Sequence, residues 1–316
     1  MYLPAHLFQA FALLVLLSLV ATASDTSPWH PVITTDFPDP SIIQVDGMWY
    51  AFASQSAYNY TGVRVQIAAS PDFETWSLLT GRDALAGGPK LAPWVDGTSA
   101  TSSAVWAPSV FRRGGIGEGV FVLYYSAVKA GTRGRSHCIG TATSSVITGP
   151  YTPTSPTTEP WICPLQRGGA IDPAYFHDAS SGKAFILYKI DGNSISGPTP
   201  IMLQQISPED GVSKVGEPVQ VLTNDAGENL VEAPGMFRMG NVRFVLAYST
   251  GDYADGSYAL RYAIAEKVTG PFVKAGGRPW LGTGDMGLVS PVLSSPPSSV
   301  HVGVVLMLTY DLFSLL

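Results

Sequence analysis

The stretch Asp36-Phe37-Pro38-Asp39-Pro40-Ser41-Ile42-Ile43 leads into a turn and a second apolar run, Met48-Trp49-Tyr50-Ala51-Phe52. Simplified copies return at Trp106-Ala107-Pro108-Ser109-Val110-Phe111, Ile171-Asp172-Pro173-Ala174-Tyr175-Phe176 and Glu232-Ala233-Pro234-Gly235-Met236-Phe237, with a fainter fifth at Val289-Ser290-Pro291-Val292-Leu293. Pro40, Pro108, Pro173, Pro234 and Pro291 are spaced by 68, 65, 61 and 57 residues. A repeat of this length constrains the fold strongly, because each unit is one supersecondary element that must stack on its neighbour to bury its apolar faces. Proline also pushes the residue before it out of the right-handed helical region. Asp39 is therefore expected in extended backbone, with its carboxylate at the mouth of a strand.

Each proline motif precedes a Gly or polar turn and then an aromatic, β-branched run: Trp49 to Phe52, Val120 to Tyr125, Ala184 to Tyr188 and Phe244 to Tyr248. Short runs of this composition, bounded by Gly or Asp, read as strands. Third strands are expected over Val63 to Ala69, Cys138 to Thr143 and Ala259 to Ala265, and matching outer turns stand at Thr148-Gly149-Pro150-Tyr151 and Thr269-Gly270-Pro271-Phe272. No amphipathic helical stretch intervenes. Four short strands per repeat describe propeller blades, in which radial repetition shields sheet edges. The expectation is an all-β, five-bladed β-propeller, its fifth blade incomplete. The first strand of each blade would line the central funnel, so carboxylates distant in sequence converge there.

A formal net charge of −6 and the absence of any basic run argue against nucleic-acid or anionic-membrane partners. The apolar run Phe11 to Val20 ends in Ala21-Thr22-Ala23, which reads as a secretory signal peptide over residues 1–23; a signal anchor is the alternative. Residues 24–316 then form one secreted, extracellular domain, expected to be a monomer. Export would expose the only two cysteines, Cys138 and Cys163, to oxidising conditions. A disulfide between them would be worth roughly 3 kcal/mol in the chain-entropy model; two buried thiols are the alternative. Asn59-Tyr60-Thr61 is a glycosylation sequon at Asn59, consistent with secretion.

Asp39, Asp172 and Glu232 stand at equivalent or near-equivalent points of three repeats. Glycoside hydrolysis needs one carboxylic acid to protonate the leaving oxygen and a carboxylate acting on the opposite face of the sugar. A third acidic group nearby can raise the acid's pKa. The longer Glu232 suits the acid. Asp before Pro is in isolation a turn former, but three in register point to a site. Trp106, where other repeats carry acid, offers a ring to a sugar face or to the core. Arg261 and His137 could hydrogen-bond hydroxyls, though lone Arg and His residues are usually structural. Asp36, before Phe37, reads as a turn or rim residue.

Phe37-Pro38-Asp39-Pro40-Ser41-Ile42, Trp106-Ala107-Pro108-Ser109-Val110, Gly169-Ala170-Ile171-Asp172-Pro173 and Val231-Glu232-Ala233-Pro234 resemble the motifs of glycoside hydrolase family 43. The resemblance covers roughly Pro31 to Ser290. It implies a secreted five-bladed propeller acting on arabinan, arabinoxylan or xylo-oligosaccharides with inversion. By resemblance Asp39 is the general base, Asp172 the pKa modulator and Glu232 the general acid, with base and acid carboxyls roughly 6.5–9.5 Å apart. Trp106 and Arg261 become candidate sugar contacts. Some relatives hold a channel metal through a histidine. No histidine here sits in an obvious inner-strand motif, so neither a metal nor another cofactor is expected.

The chain departs from the family over residues 290–316, where Ser294-Ser295-Pro296-Pro297-Ser298-Ser299 precedes a uniformly apolar run, Val304 to Leu308. An incomplete blade leaves sheet edges open to aggregation. The expectation is a truncated last blade and poor secretion of the chain as written. A carbohydrate-binding propeller without catalysis is the rival reading; a kelch or WD array would leave the acidic register unexplained.

Overall fold

The structure, a computed structural model, describes residues 32–282 apart from 57–61, 86–90, 98–103, 114–119, 133–135, 155–158, 241–242, 253–255 and 278. The expected signal peptide, Asn59 and the atypical stretch 290–316 lie outside the described residues. Four antiparallel sheets follow one another along the chain. The first holds β1 (Ser41–Val45), β2 (Met48–Ala53), β3 (Gln66–Ser70) and β4 (Ser77–Leu78), and the second β5 (Val105–Arg112), β6 (Phe121–Val128), β7 (His137–Ser144) and β8 (Thr152–Pro153). The third holds β9 (Ala170–Asp178), β10 (Lys183–Ile190), β11 (Ile201–Ile206) and β12 (Lys214–Leu222). The fourth holds β13 (Glu232–Met239), β14 (Arg243–Thr250), β15 (Ala259–Ala265) and β16 (Val273–Lys274), and β17 (Leu281–Gly282) also pairs with β15. Two short 3-10 helices, Leu165–Arg167 and Gly192–Ile195, are the helices among the described residues.

These sheets are propeller blades in sequence order, and their first strands touch in succession: β1 on β5, β5 on β9, β9 on β13. The described residues give four blades where five were expected, because the fifth repeat falls after residue 282. The second strands β6, β10 and β14 are buried on both faces, which explains their apolar sequences. On β6, Leu123 and Tyr125 join Phe52 and Trp94 between the first two blades. Their alternates Val122 and Tyr124 join Ile186 and Met202 between the second and third blades. On β10, Phe185 and Leu187 turn the other way, toward Met236 and Leu246 of the fourth blade. The ring of Phe111 stacks on Tyr175 across the second interface at 3.7 Å. Cys138 on β7 is bonded to Cys163, with Cα atoms 4.8 Å apart. The two Thr-Gly-Pro-aromatic turns occupy matching places, and both Gly–Pro bonds are cis.

One glycine fixes how closely the third blade approaches the second. Gly169, just before β9, has φ +109° and bridges to His137, and a Cβ there would lie 2.2 Å from the His137 carbonyl oxygen. Its own carbonyl accepts the Asp191 N–H at 3.0 Å. Gly169→Ala should therefore cost on the order of 3 kcal/mol of unfolding free energy, from strain and a backbone clash together. Gly47→Ala, at φ +81° with nothing within 4 Å, should cost clearly less. Urea unfolding of the two variants beside the parent checks this ordering.

Candidate active site

The proline motifs build the site through backbone irregularity. Pairing between the first and second strands shifts register between Trp106 and Ser109, between Leu187 and Lys189, and between Glu232 and Gly235. At each break the residue before proline takes a left-handed conformation: Ala107 at φ 45°, Asp172 at 58° and Ala233 at 46°. Asp39 does the same at φ 51°, which corrects the extended backbone expected from its proline. The following proline disfavours only the right-handed helical region, which leaves positive φ open. Such a residue costs roughly 1–3 kcal/mol and is concentrated at functional sites. Bulges re-aim side chains, and here the register break recurs in three blades and the positive φ before proline in four. Glu232 sits one residue before the left-handed position, in register with Trp106 and not with Asp39 and Asp172.

Opposite each bulge, at the end of the second strand, stand Ser54, Ser126, Lys189 and Ser249. The serines of the first two blades accept the left-handed N–H of the next: Ala107 to Ser54 Oγ at 2.7 Å, Asp172 to Ser126 Oγ at 3.1 Å. In the third blade the position is Lys189, which has no acceptor. The Ala233 N–H goes instead to Asp172 Oδ2 at 3.0 Å, and Lys189 Nζ donates to Glu232 Oε2 at 2.8 Å. Ser54 Oγ donates to Asp39 Oδ2 at 2.5 Å. Hydrogen bonds thus tie Asp172 and Glu232 together, and Asp39, held by Ser54, is coupled to both through charge.

Burial raises the Asp39 pKa, a hydrogen bond from Ser54 works against this, and the charges of Glu232 and Asp36 add to it. Asp172 is pushed up to about 7, first by burial and then by the charges of Glu232 and Asp39, against the pull of Lys189. Burial opposes the charge of Lys189, but Glu232, Asp172 and Asp191 outweigh it and hold its pKa above the ordinary lysine value. Tyr258 belongs to the same cluster: burial raises its pKa, and the fields of Glu232, Asp172 and Asp39 add to that. A group of carboxylates this desolvated retains a proton at mild pH. That is a condition for general acid chemistry.

The other sequence candidates are placed as follows. Trp106 is 40% exposed, and its ring lies 4.6 Å from that of His137. Arg261 lies on β15 opposite Tyr248 and donates to the Gly277 carbonyl at 3.2 Å, away from the hydrogen bonds that join the carboxylates. Asp36 accepts from Ser56 Oγ at 2.6 Å and acts on Asp39 through its charge. Among the described residues no group of three or more His, Cys, Asp or Glu side chains is arranged to hold a metal ion. Lys189, Asp191, Ser54 and Tyr258 were not singled out from sequence. Lys189 had a signal: a lysine at the end of the apolar run Ala184 to Tyr188, where the other blades carry serine.

Lys189 is the cation on which these carboxylates rest. Removing one partner of a buried ion cluster typically costs about 3–5 kcal/mol, so Lys189→Met should lose that much unfolding free energy at pH 8. Without the ammonium, the folded-state pKa of Asp172, already raised to about 7 against the pull of Lys189, rises further above its unfolded value. Stability from such groups is present at low pH and lost as pH rises through the folded values, so the deficit should shrink at pH 5. Urea unfolding at the two pH values measures it; an equal deficit at both would contradict this account of Lys189.

The family model of the glycosyl hydrolases family 43 matches residues 29–289. The beta-D-galactofuranosidase xynD of Aspergillus niger is 26% identical over 262 residues, covering 80% of this chain and 68% of that protein. The extracellular endo-alpha-(1->5)-L-arabinanase 2 of Bacillus subtilis is 27% identical over 262 residues, covering 77% of this chain and 51% of that protein. This chain therefore spans about half the length of the arabinanase. A crystal structure of a thermostable family-43 glycoside hydrolase superimposes with a TM-score of 0.63 at 23% identity, over 84% of this chain and 80% of that one. The match over most of the chain, with the acidic motifs in place on their blades, makes this protein a member of glycosyl hydrolase family 43.

Proposed function

We propose that this chain is a secreted glycosidase that cleaves arabinose- or xylose-containing plant cell-wall polysaccharides or oligosaccharides with inversion at the anomeric carbon. The observation that carries the reading is that Asp39, Asp172 and Glu232, from three blades, lie near enough to act on one another through their charges, with Lys189 bonded to Glu232. Asp39, held by Ser54, is the base that activates water. Glu232 is the acid that protonates the leaving oxygen. As that proton departs, a full negative charge forms on Glu232 2.8 Å from the Lys189 ammonium, an interaction that strengthens along the reaction path. Asp172 receives the Ala233 N–H beside Glu232 and, with its pKa pushed up to about 7, keeps a proton in the cluster. Trp106 offers an exposed ring for a sugar face.

The likeness to an extracellular arabinanase supports arabinan and export. The likeness to a galactofuranosidase supports a second reading, in which a hexofuranoside is the substrate. Product analysis on linear arabinan, debranched arabinan, xylan and a β-D-galactofuranoside separates the two, and binding to a polysaccharide without product on any substrate would favour a non-catalytic propeller. Asp39→Asn and Glu232→Gln should each lower turnover by roughly 10²–10⁴-fold, with unfolding midpoints close to the parent. Proton NMR of the first product should show inverted anomeric configuration; a retained product would overturn the mechanism.

A further inference from the structure

Behind Lys189 the contacts run on, away from the reacting groups. Lys189 Nζ lies 3.6 Å from Asp191 Oδ1, and the other oxygen of Asp191 meets His137 Nδ1 at 3.0 Å. An ionised carboxylate can only accept, so against Asp191 the His137 Nδ1–H is the donor. Lys189 and Asp191 are 3% and 7% exposed at the side chain, and His137 13%. The imidazole then lies against Trp106, with ring centroids 4.6 Å apart and planes tilted by 34°. His137 Nε2 is buried with no hydrogen-bond partner among the described residues, so the ring is held from the Nδ1 side. Gly169 bridges to His137 and accepts from the Asp191 N–H, which fixes the backbones of the pair. One unbroken series of contacts therefore joins an exposed aromatic ring to the Glu232 carboxylate.

We propose that His137 and Asp191 are positioning residues that hold the Trp106 ring and, through Lys189, the Glu232 carboxylate in one fixed relation. This rests on the reading of Glu232 as the acid and Trp106 as a sugar platform, and it adds what keeps the two in step. A sugar stacked on Trp106 must present its glycosidic oxygen where Glu232 can reach it, and a displacement of about 1 Å at such a site can cost 10²-fold. Asp191 divides the attraction of Lys189. With Asp191 ionised and anchored by His137, the ammonium is kept from swinging freely, and the carboxylate it bonds keeps its place. Among the described residues the other charges that act on Lys189 are those of Asp172 and Glu232.

The two contacts of His137 separate by substitution. Phe at position 137 keeps a flat ring under Trp106 and loses the donor to Asp191. Asn keeps a donor where Nδ1 stood and loses the ring. Each variant is assayed on the glycosides that the parent cleaves, one set with a good phenolate leaving group and one with an alkyl leaving group that needs protonation. His137→Phe should lose roughly tenfold to a hundredfold in kcat on alkyl glycosides, a much smaller factor on the activated phenyl glycosides, and little in KM. His137→Asn should show the reverse, a raised KM with kcat for alkyl glycosides largely rescued. Asp191→Asn should repeat the leaving-group dependence of His137→Phe and makes the same test if that variant does not fold. Equal losses on both leaving-group classes, or folded variants with parental kinetics, would overturn the proposal. A parent that cleaves none of the glycosides would overturn the functional reading itself, and this proposal with it.

Discussion

A single buried cation governs this site. The ammonium of Lys189 lies between Glu232 and Asp191, within the field of Asp172, at a depth where an unpaired charge costs several kcal/mol. Every neighbouring arrangement follows from accommodating it. The Ala233 N–H cannot use the position that serine holds in earlier blades, so Asp172 takes it, which brings that carboxyl close to Glu232. One positive charge set among four acidic groups leaves the cluster short of compensation. Burial resolves the shortfall by keeping a proton on the carboxylates.

The repeat makes the site economical. Four blades reuse one frame, with one residue held at positive φ before a proline, and the chemistry comes from changing side chains at three positions of that frame. At the left-handed position the residues are Asp39, Ala107, Asp172 and Ala233. One residue earlier they are Pro38, Trp106, Ile171 and Glu232, and opposite them Ser54, Ser126, Lys189 and Ser249. Aspartate tolerates the left-handed region better than most residues. Alanine at 107 and 233 has no such excuse, so the bulge itself and the N–H bonds to Ser54 and Asp172 must hold it there. The aromatic, two-sided burial of β6 and β10 gives these bulges a rigid base.

Much of this was legible in the chain. The proline spacing and the apolar second runs place the blade strands to within a few residues, because both reflect local backbone needs and two-sided burial. The three carboxylates were legible for the same reason, as they ride on the repeat. Asp39 departs from the extended backbone expected of it, because proline disfavours only the right-handed helical region for its neighbour and leaves positive φ open. Lys189 was overlooked because an isolated lysine in a strand reads as surface until its partners from another blade are known. Arg261 illustrates the converse, a plausible hydroxyl donor whose hydrogen bond goes to the Gly277 carbonyl. Four blades are seen among the described residues, and the fifth motif, Val289 to Leu293, lies outside them.

The central claim is electrostatic: crowding and burial around Lys189 leave one aspartate protonated far above the ordinary carboxylate range. Carbon-13 NMR of side-chain carboxyls, followed from pH 4 to 9 in protein labelled at aspartate, reads this directly. The account predicts one aspartate resonance titrating at about 7, absent from Asp172→Asn. Aspartates that all titrate below pH 5 would contradict it.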